Sequence, residues 1–353
     1  MDSGVARKPI ADLRKYAREL SGRLDPTANA LDAIMERVRA TPQRVVFAEG
    51  EEEKVVRAAV AFRNAGYGTP VLIGREDRVR ATMARLGLGA TTGIEIHNAR
   101  LSHRNADYAA FLFARLQRRG LMARDCQRLV NQDRNIFAAC MVATGDADAM
   151  VTGTTRSAAV CLADIGHAID TAPGTVSFGL TLMLGEQGRT IFIADTLVHE
   201  RPNPVQLAEI CIGAAAAARR LGHEPRVALL SHSTFGNPMH ATGNAMREAV
   251  AILDSRHVDF EYDGEMSPDV ALDPAYRSLY PFCRLTGPAN ILVMPGLHSS
   301  HITSRLAPRL GGGGTIGPLI IGLTHPAQLA TMDSSVSQLV DIATIAAHQA
   351  ILK

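Results

Sequence analysis

The stretch RVVFAEGEEEKVVRAAVAFRNAGYGTPVLIG (44–74) decides the fold class. RVVFAEG (44–50) reads as a buried strand ending in a turn, a helix follows from about residue 51 to 65, and PVLIG (70–74) is the next strand. This is one βαβ unit, whose crossover helix makes the two strands parallel. Working outward, residues 76–145 carry mostly helical patterning with charged faces such as ARLQRRG (114–120), and ADAMVTG (147–153) is a further strand with a glycine at its end. IFIADT (191–196), RVALLSHST (226–234), ILVMPGL (291–297) and TIGPLIIGL (315–323) continue the series. The Ala-rich LAEICIGAAAAARRLG (207–222) is a helix closed by its final glycine. Seven strand candidates are too many for one small sheet. The expectation is an α/β protein of two α/β lobes with mainly parallel sheets, and a ligand cleft at the carboxyl ends of the strands.

Composition sets bounds on function. The 353 residues carry 37 Lys and Arg against 35 Asp and Glu, a formal charge of +2. That leaves no broad basic surface, so nucleic acid is not expected as a partner. No apolar run approaches the roughly 20 residues of a membrane span, and MDSGVARKPI (1–10) lacks the apolar core of a signal peptide. No membrane partner and a cytoplasmic location are expected. Cys126, Cys140, Cys161, Cys211 and Cys283 are odd in number and scattered without a Cys-x-x-Cys pair, which argues for a reducing compartment and against a zinc site. His298 and His301 in HSSH have a helical metal spacing but no third ligand, so no metal is expected. GGGG (311–314) lacks the Lys-Ser or Lys-Thr of a phosphate loop and reads as a turn.

Three polar segments could carry chemistry. SHSTFGN (231–237) follows a buried strand, and its hydroxyls and backbone N–H groups can cradle a phosphate or a polarised carbonyl; the alternative is a polar loop over a helix start. Ser231 beside His232 is no hydrolase elbow, because adjacent strand residues point to opposite faces and G-x-S-x-G is absent. DGEMSPDVALDP (263–274) gathers Asp263, Glu265, Asp269 and Asp273, either as a general base or cation site or as a solvated acidic loop. EGEEEK (49–54), at a strand end, offers acids that could coordinate a cation, but acids in a first helical turn are what the helix dipole attracts, and that is the reading taken.

Together these segments resemble the phosphotransacetylase family from about Arg44 to Lys353. RVVFAEGEEEKVVRAA (44–59), GDADAMVTG (145–153), FIADTLVHERPNPVQLAEI (192–210), EPRVALLSHSTFGNP (224–238), DGEMSPDVALDP, GPANILVMPGL (287–297) and TIGPLIIGLTHP (315–326) occur in that family's order and spacing. The resemblance implies a fold similar to isocitrate and isopropylmalate dehydrogenases. Its first lobe would comprise residues 41–152 plus 319–353 and its second 153–318, with a homodimer or higher homo-oligomer as the unit. SGVARKPIADLRKY (3–16) resembles the end of the catalytic region of bacterial hybrid malic enzymes, which makes 1–40 a helical linker from a malic-enzyme domain in the same chain. NAD(P) and a divalent metal are then expected only in that preceding domain. This domain would need no cofactor and would take acetyl-CoA or a related thioester as effector.

The family's acyl transfer uses a Ser-Arg pair and an Asp seven residues after the Ser, to generate thiolate and to bind phosphate. In QLATMDSSVSQLVD (328–341) those positions hold Thr331, Met332 and Gln338, and a further family arginine falls on Ala163. Methionine carries no charge and an amide is no base near neutral pH. Arg156 or Arg305 would have to restore both roles. The ligand positions implied by the resemblance are Ser231, His232, Ser233, Thr234, Gly236 and Asp269, with Ser300, His301 and Arg305 in the altered stretch LHSSHITSR (297–305). The expected function is a non-catalytic regulatory and oligomerisation domain. The alternatives are a working phosphate acetyltransferase, converting acetyl-CoA and phosphate to acetyl phosphate and CoA, and a purely structural domain.

Overall fold

Apolar runs become strands here because β-branched side chains suit a pleated surface buried on both faces. The computed structural model describes residues 25–353 except 90, 186–187 and 312–313. Residues 1–24, most of the expected linker, lie outside the described residues. Among the described residues a helix comes first, α1 (Pro26–Ala40), with Pro26 in its first turn and Asp25 Oδ1 accepting the Ala28 N–H at 2.9 Å. The βαβ unit follows as β1 (Gln43–Phe47), α2 (Glu53–Asn64) and β2 (Gly68–Ile73). Next come α3 (Glu76–Arg85), β3 (Glu95–His97), α4 (Asn105–Leu116), α5 (Ala123–Gln132), α6 (Arg134–Ala143) and β4 (Ala149–Thr152). Then α7 (Ala158–Ile165) leads to β5 (Phe178–Leu184), β6 (Thr190–Ala194), α8 (Pro204–Arg220), β7 (Arg226–Leu230), α9 (Ala241–Arg256) and β8 (Glu261–Met266). The series finishes with α10 (Pro268–Leu272), α11 (Pro274–Arg277), β9 (Ile291–Val293), α12 (Leu297–Gly311), β10 (Gly314–Ile321), β11 (Ala327–Leu329) and α13 (Val336–Ile351).

Two sheets result. The first has the order β11-β4-β1-β2-β3 and is parallel throughout. The chain runs outward from β1 through β2 to β3, then returns to β4 on the other side of β1. The strand order therefore reverses between β1 and β4. The second sheet, β10-β5-β6-β9-β7-β8, pairs β5 antiparallel with both neighbours and is otherwise parallel. The fold class is thus α/β with mainly parallel sheets.

Period-two alternation divides each core into layers. Val45 and Phe47 pack with Val55 and Val56 of α2 and with Leu339 and Ala343 of α13, whereas Val46 faces the opposite layer with Leu112, Phe137 and Cys140. In the second sheet Val227 and Leu229 meet α8 and α9, while Ala228 and Leu230 pack with Met266 and Leu292. β11 and α13 thus join the first sheet although they follow the second in sequence. Gly153, just past β4, has φ +114°, and a Cβ there would lie 2.1 Å from the Ala330 carbonyl oxygen, so only glycine lets β4 and β11 end this close together. Helix α1 bridges the two halves. Val38 is fully buried in the first core, Ala30 and Leu31 pack on the second, and Thr27 Oγ1 lies 2.7 Å from both Thr190 Oγ1 and His223 Nε2.

Each of the seven expected strands has a counterpart. Four others, β3, β5, β8 and β11, went unread. β8 is a correction of the acidic-loop alternative: DGEM forms a buried strand, with Asp263 and Glu265 inside the protein. No described helix is long and apolar enough to cross a membrane.

Candidate functional site

A cleft of about 370 Å³ opens between the two sheets. From the second half α12 contributes Ser304, Arg305 and Arg309, and β10 contributes residues 314–318. From the first half Thr331, Gln338 and Asp341 face it from the start of α13 and the turn before it. Two of the four degenerate positions, Thr331 and Gln338, therefore line the cleft together with Arg305. Met332 does not; it is 60% exposed, and its backbone carbonyl accepts a hydrogen bond from Lys54 Nζ. Ala163 is exposed on α7, where its carbonyl oxygen lies 2.7 Å from His167 Nδ1.

The chemistry of the cleft follows from what its side chains already hold. Gln338 is N3 of α13 and closes a capping box with Ser335. Thr331 Oγ1 is 3.0 Å from Ser334 Oγ, whose oxygen also accepts the Thr331 N–H at 2.9 Å. Arg305 lies 3.8 Å from Asp333, at the limit of an ion pair, and Arg309 has no ion pair among the described residues. Asp341, three residues after Gln338 and so on the same helix face, has no hydrogen-bond or ion-pair partner among the described residues, and burial raises its carboxyl above the usual range. The cleft thus presents two cations on one wall and an unengaged carboxyl on the other. Arg309 and Asp341 were missed in the sequence, although the helical spacing from Arg305 and from Gln338 could have found them.

The second group of expected residues gathers at the carboxyl ends of β7 and β8. Ser231 and Ser233 are buried. Ser233 Oγ donates to Glu265 Oε1 (2.9 Å), which also accepts the Gly236 N–H (2.8 Å) and Arg247 Nη1 (2.6 Å). His240 Nδ1 accepts the Gly243 N–H at 3.2 Å, which assigns the proton to Nε2, 2.9 Å from Ser233 Oγ and 3.1 Å from Ser231 Oγ. Glu265 is fully buried; burial works to raise its carboxyl, but the Gly236 N–H, the Ser233 hydroxyl and Arg247 outweigh it and hold it below the usual range. Both serine hydroxyls and the Gly236 N–H are therefore engaged internally. His232 points outward and stacks on His240, with ring centroids 3.9 Å apart. Thr234 Oγ1 bonds Ser267 (3.1 Å), and Asp269 is exposed in the first turn of α10, its carboxyl lowered by the Ser267 hydroxyl. On α12 Ser300 is buried, donating to the Leu297 carbonyl at 3.0 Å, and His301 is exposed. None of these lines the interlobe cleft, where Arg305 stands alone from the expected ligand set.

Glu49 corrects another reading. It precedes α2, is buried, and accepts four hydrogen bonds: Oε2 from Thr154 N (2.7 Å) and Oγ1 (2.5 Å), and Oε1 from Thr155 N (2.8 Å) and Oγ1 (2.7 Å). It clasps the end of β4 to the end of β1 instead of serving a helix dipole. Among the described residues no group of three or more His, Cys, Asp and Glu could hold a metal ion.

The family described as phosphate acetyl/butaryl transferase matches residues 29–347. A NADP-dependent malic enzyme of Rhizobium meliloti is 52% identical over 351 residues, covering 99% of this chain and 46% of that protein. The chain spans about half the length of the malic enzymes it matches. A phosphate acetyltransferase of Staphylococcus aureus is 29% identical, covering 92% of this chain and 99% of its own. The crystal structure of a phosphotransacetylase from Streptococcus pyogenes superposes with a TM-score of 0.86 at 30% identity, covering 92% of this chain and 99% of that one.

Proposed function

The chain belongs to the phosphate acetyl/butaryl transferase family, and we propose that this member has lost acyl transfer and acts as a regulatory and oligomerisation domain of a malic enzyme. In the whole protein, malate and NAD(P) would be converted to pyruvate, CO2 and NAD(P)H by a preceding domain. This domain would bind acetyl-CoA or a related thioester in the interlobe cleft. The observation that carries the reading is the state of Gln338: where the resemblance implies a carboxylate base, the cleft holds an amide whose oxygen already accepts the Ser335 N–H at 2.9 Å. Met332 turns away beside it, so that segment supplies no cation to the cleft. Loss of one preorganised electrostatic contact alone costs on the order of a hundredfold in rate. Arg305 and Arg309 still suit the phosphates of a CoA ester. The 52% identity to a malic enzyme supports the larger context.

Titration calorimetry of the chain with acetyl-CoA, beside an assay of acetyl phosphate formation, tests this. Saturable binding without turnover is expected. Turnover at a rate typical of a phosphate acetyltransferase would overturn the loss of catalysis, and no heat at millimolar ligand would favour scaffolding alone. The rival reading as a working transferase draws on Asp341, one helical turn beyond Gln338 and in the same cleft as Arg305. In that case Asp341→Asn would abolish the turnover.

A further inference from the structure

A second pocket, of about 290 Å³, shares no lining residue with the interlobe cleft. It lies where β1, β2, β3 and β4 deliver their carboxyl ends: Glu51 follows β1, Gly74 and Arg75 follow β2, Asn98 and Arg100 follow β3, and Arg156 follows β4. The strand order reverses between β1 and β4, and crevices outside the carboxyl ends near such a reversal are where open parallel sheets hold ligands.

Four arginines line this pocket, and their partners differ. Arg75 grips Glu51 with two bonds of 3.0 Å, and that pairing holds the Glu51 carboxyl down to about 2. Arg156 spans Asp133 (2.5 Å) and Asp164 (2.7 Å). Arg134 meets only the Thr155 hydroxyl (2.9 Å), and the Arg100 guanidinium has no hydrogen-bond or ion-pair partner among the described residues. Two guanidiniums with no carboxylate partner among the described residues therefore face one small cavity, whose lining carboxylate, Glu51, is already held by Arg75 and Arg78. A planar guanidinium fork matches a phosphate or carboxylate oxygen pair. Two forks in a cavity this small suit a compact anion of more than one charge.

We propose that this pocket at the carboxyl edge of the first sheet is an anion site, distinct from the interlobe cleft, which takes a small phosphorylated metabolite between Arg100 and Arg134. It does not depend on the cleft's function. Calorimetry of the chain with pyrophosphate as probe tests it, with malonate as the dicarboxylate comparison. Saturable pyrophosphate binding is expected, weakened roughly tenfold or more by Arg100→Ala and further by Arg100→Ala with Arg134→Gln. Arg305→Ala, in the cleft, should leave this Arg100-dependent binding unchanged. Arg100 is exposed and its guanidinium has no partner among the described residues, so the single variant tests the site even where the double variant folds poorly. Absence of binding up to about 10 mM, or unchanged affinity in Arg100→Ala, overturns the site. Loss in Arg305→Ala instead would move the anion to the cleft, and malonate binding as tightly as pyrophosphate would overturn the phosphate class.

Discussion

Gln338 and Ser335 hold one another: the Ser335 N–H donates to Gln338 Oε1 at 2.9 Å, and Ser335 Oγ accepts the Gln338 N–H at 3.2 Å. The residue at the family's base position is thus a helix cap. Gln338→Ala should destabilise the chain by about 1 kcal/mol, read from the urea midpoint, with no change in any residual acetyl transfer.

Restoring charge at both positions tests the loss of catalysis directly. Met332→Arg with Gln338→Asp should raise acetyl phosphate formation from acetyl-CoA and phosphate by roughly a hundredfold over the unaltered chain. No gain would mean that the cleft has diverged beyond these two positions.

Asp341 predicts a pH dependence. Burial raises its folded carboxyl above the unfolded value, so the folded state retains the proton longer and stability falls as pH climbs from the unfolded to the folded value. Asp341→Asn removes that loss. Its melting temperature should match the unaltered chain in acid, below the normal carboxylate range, and exceed it near neutrality. Equal melting temperatures at every pH would exclude an ionisation cost at this residue.

The Glu49 clasp predicts the opposite limb. Burial works to raise its carboxyl, but the hydroxyls and backbone N–H groups of Thr154 and Thr155 lower it on balance. Its stabilisation is therefore complete above the unfolded carboxylate value and disappears as pH falls through the lower folded one. Glu49→Gln keeps one acceptor and loses the other, leaving donors unpaired in a buried turn, and should cost about 2–4 kcal/mol at neutral pH, checked by urea denaturation. The gap should narrow in acid.

Arg247 answers the fully buried Glu265 carboxylate at 2.6 Å. Arg247→Met leaves that charge to Ser233 and Gly236 alone. A loss of about 2–4 kcal/mol is expected in chemical denaturation, the partial exposure of Arg247 moderating the larger cost of breaking a wholly buried pair.

What was legible in the sequence follows the physics of each element. Val45 to Phe47, Ile191 to Ala194 and Val227 to Leu230 are dense in apolar and branched residues, so their strands could be read directly. β8 could not, because Asp263 and Glu265 are polar in composition and buried only by virtue of partners far away in sequence, Arg284 N for Asp263 and Arg247 for Glu265. Glu49 was hidden in a run of acids with Glu51, Glu52 and Glu53, of which Glu51 and Glu53 pair with surface arginines. Thr331 and Gln338 were found through the family's spacing, whereas Asp341 and Arg309 enter the cleft only because a helix returns to the same face every three to four residues.

Helix α1 has a mechanical meaning. One of its ends is tied through Thr27 to Thr190 and His223 of the second lobe, and the other inserts Val38 into the first. It works as a tie-rod across the joint. A change in the angle between the lobes therefore acts on both anchorages, so the rod has to move with one lobe or let go at Thr27. The angle between the lobes and the attitude of α1 are thereby coupled through Thr27 and Val38.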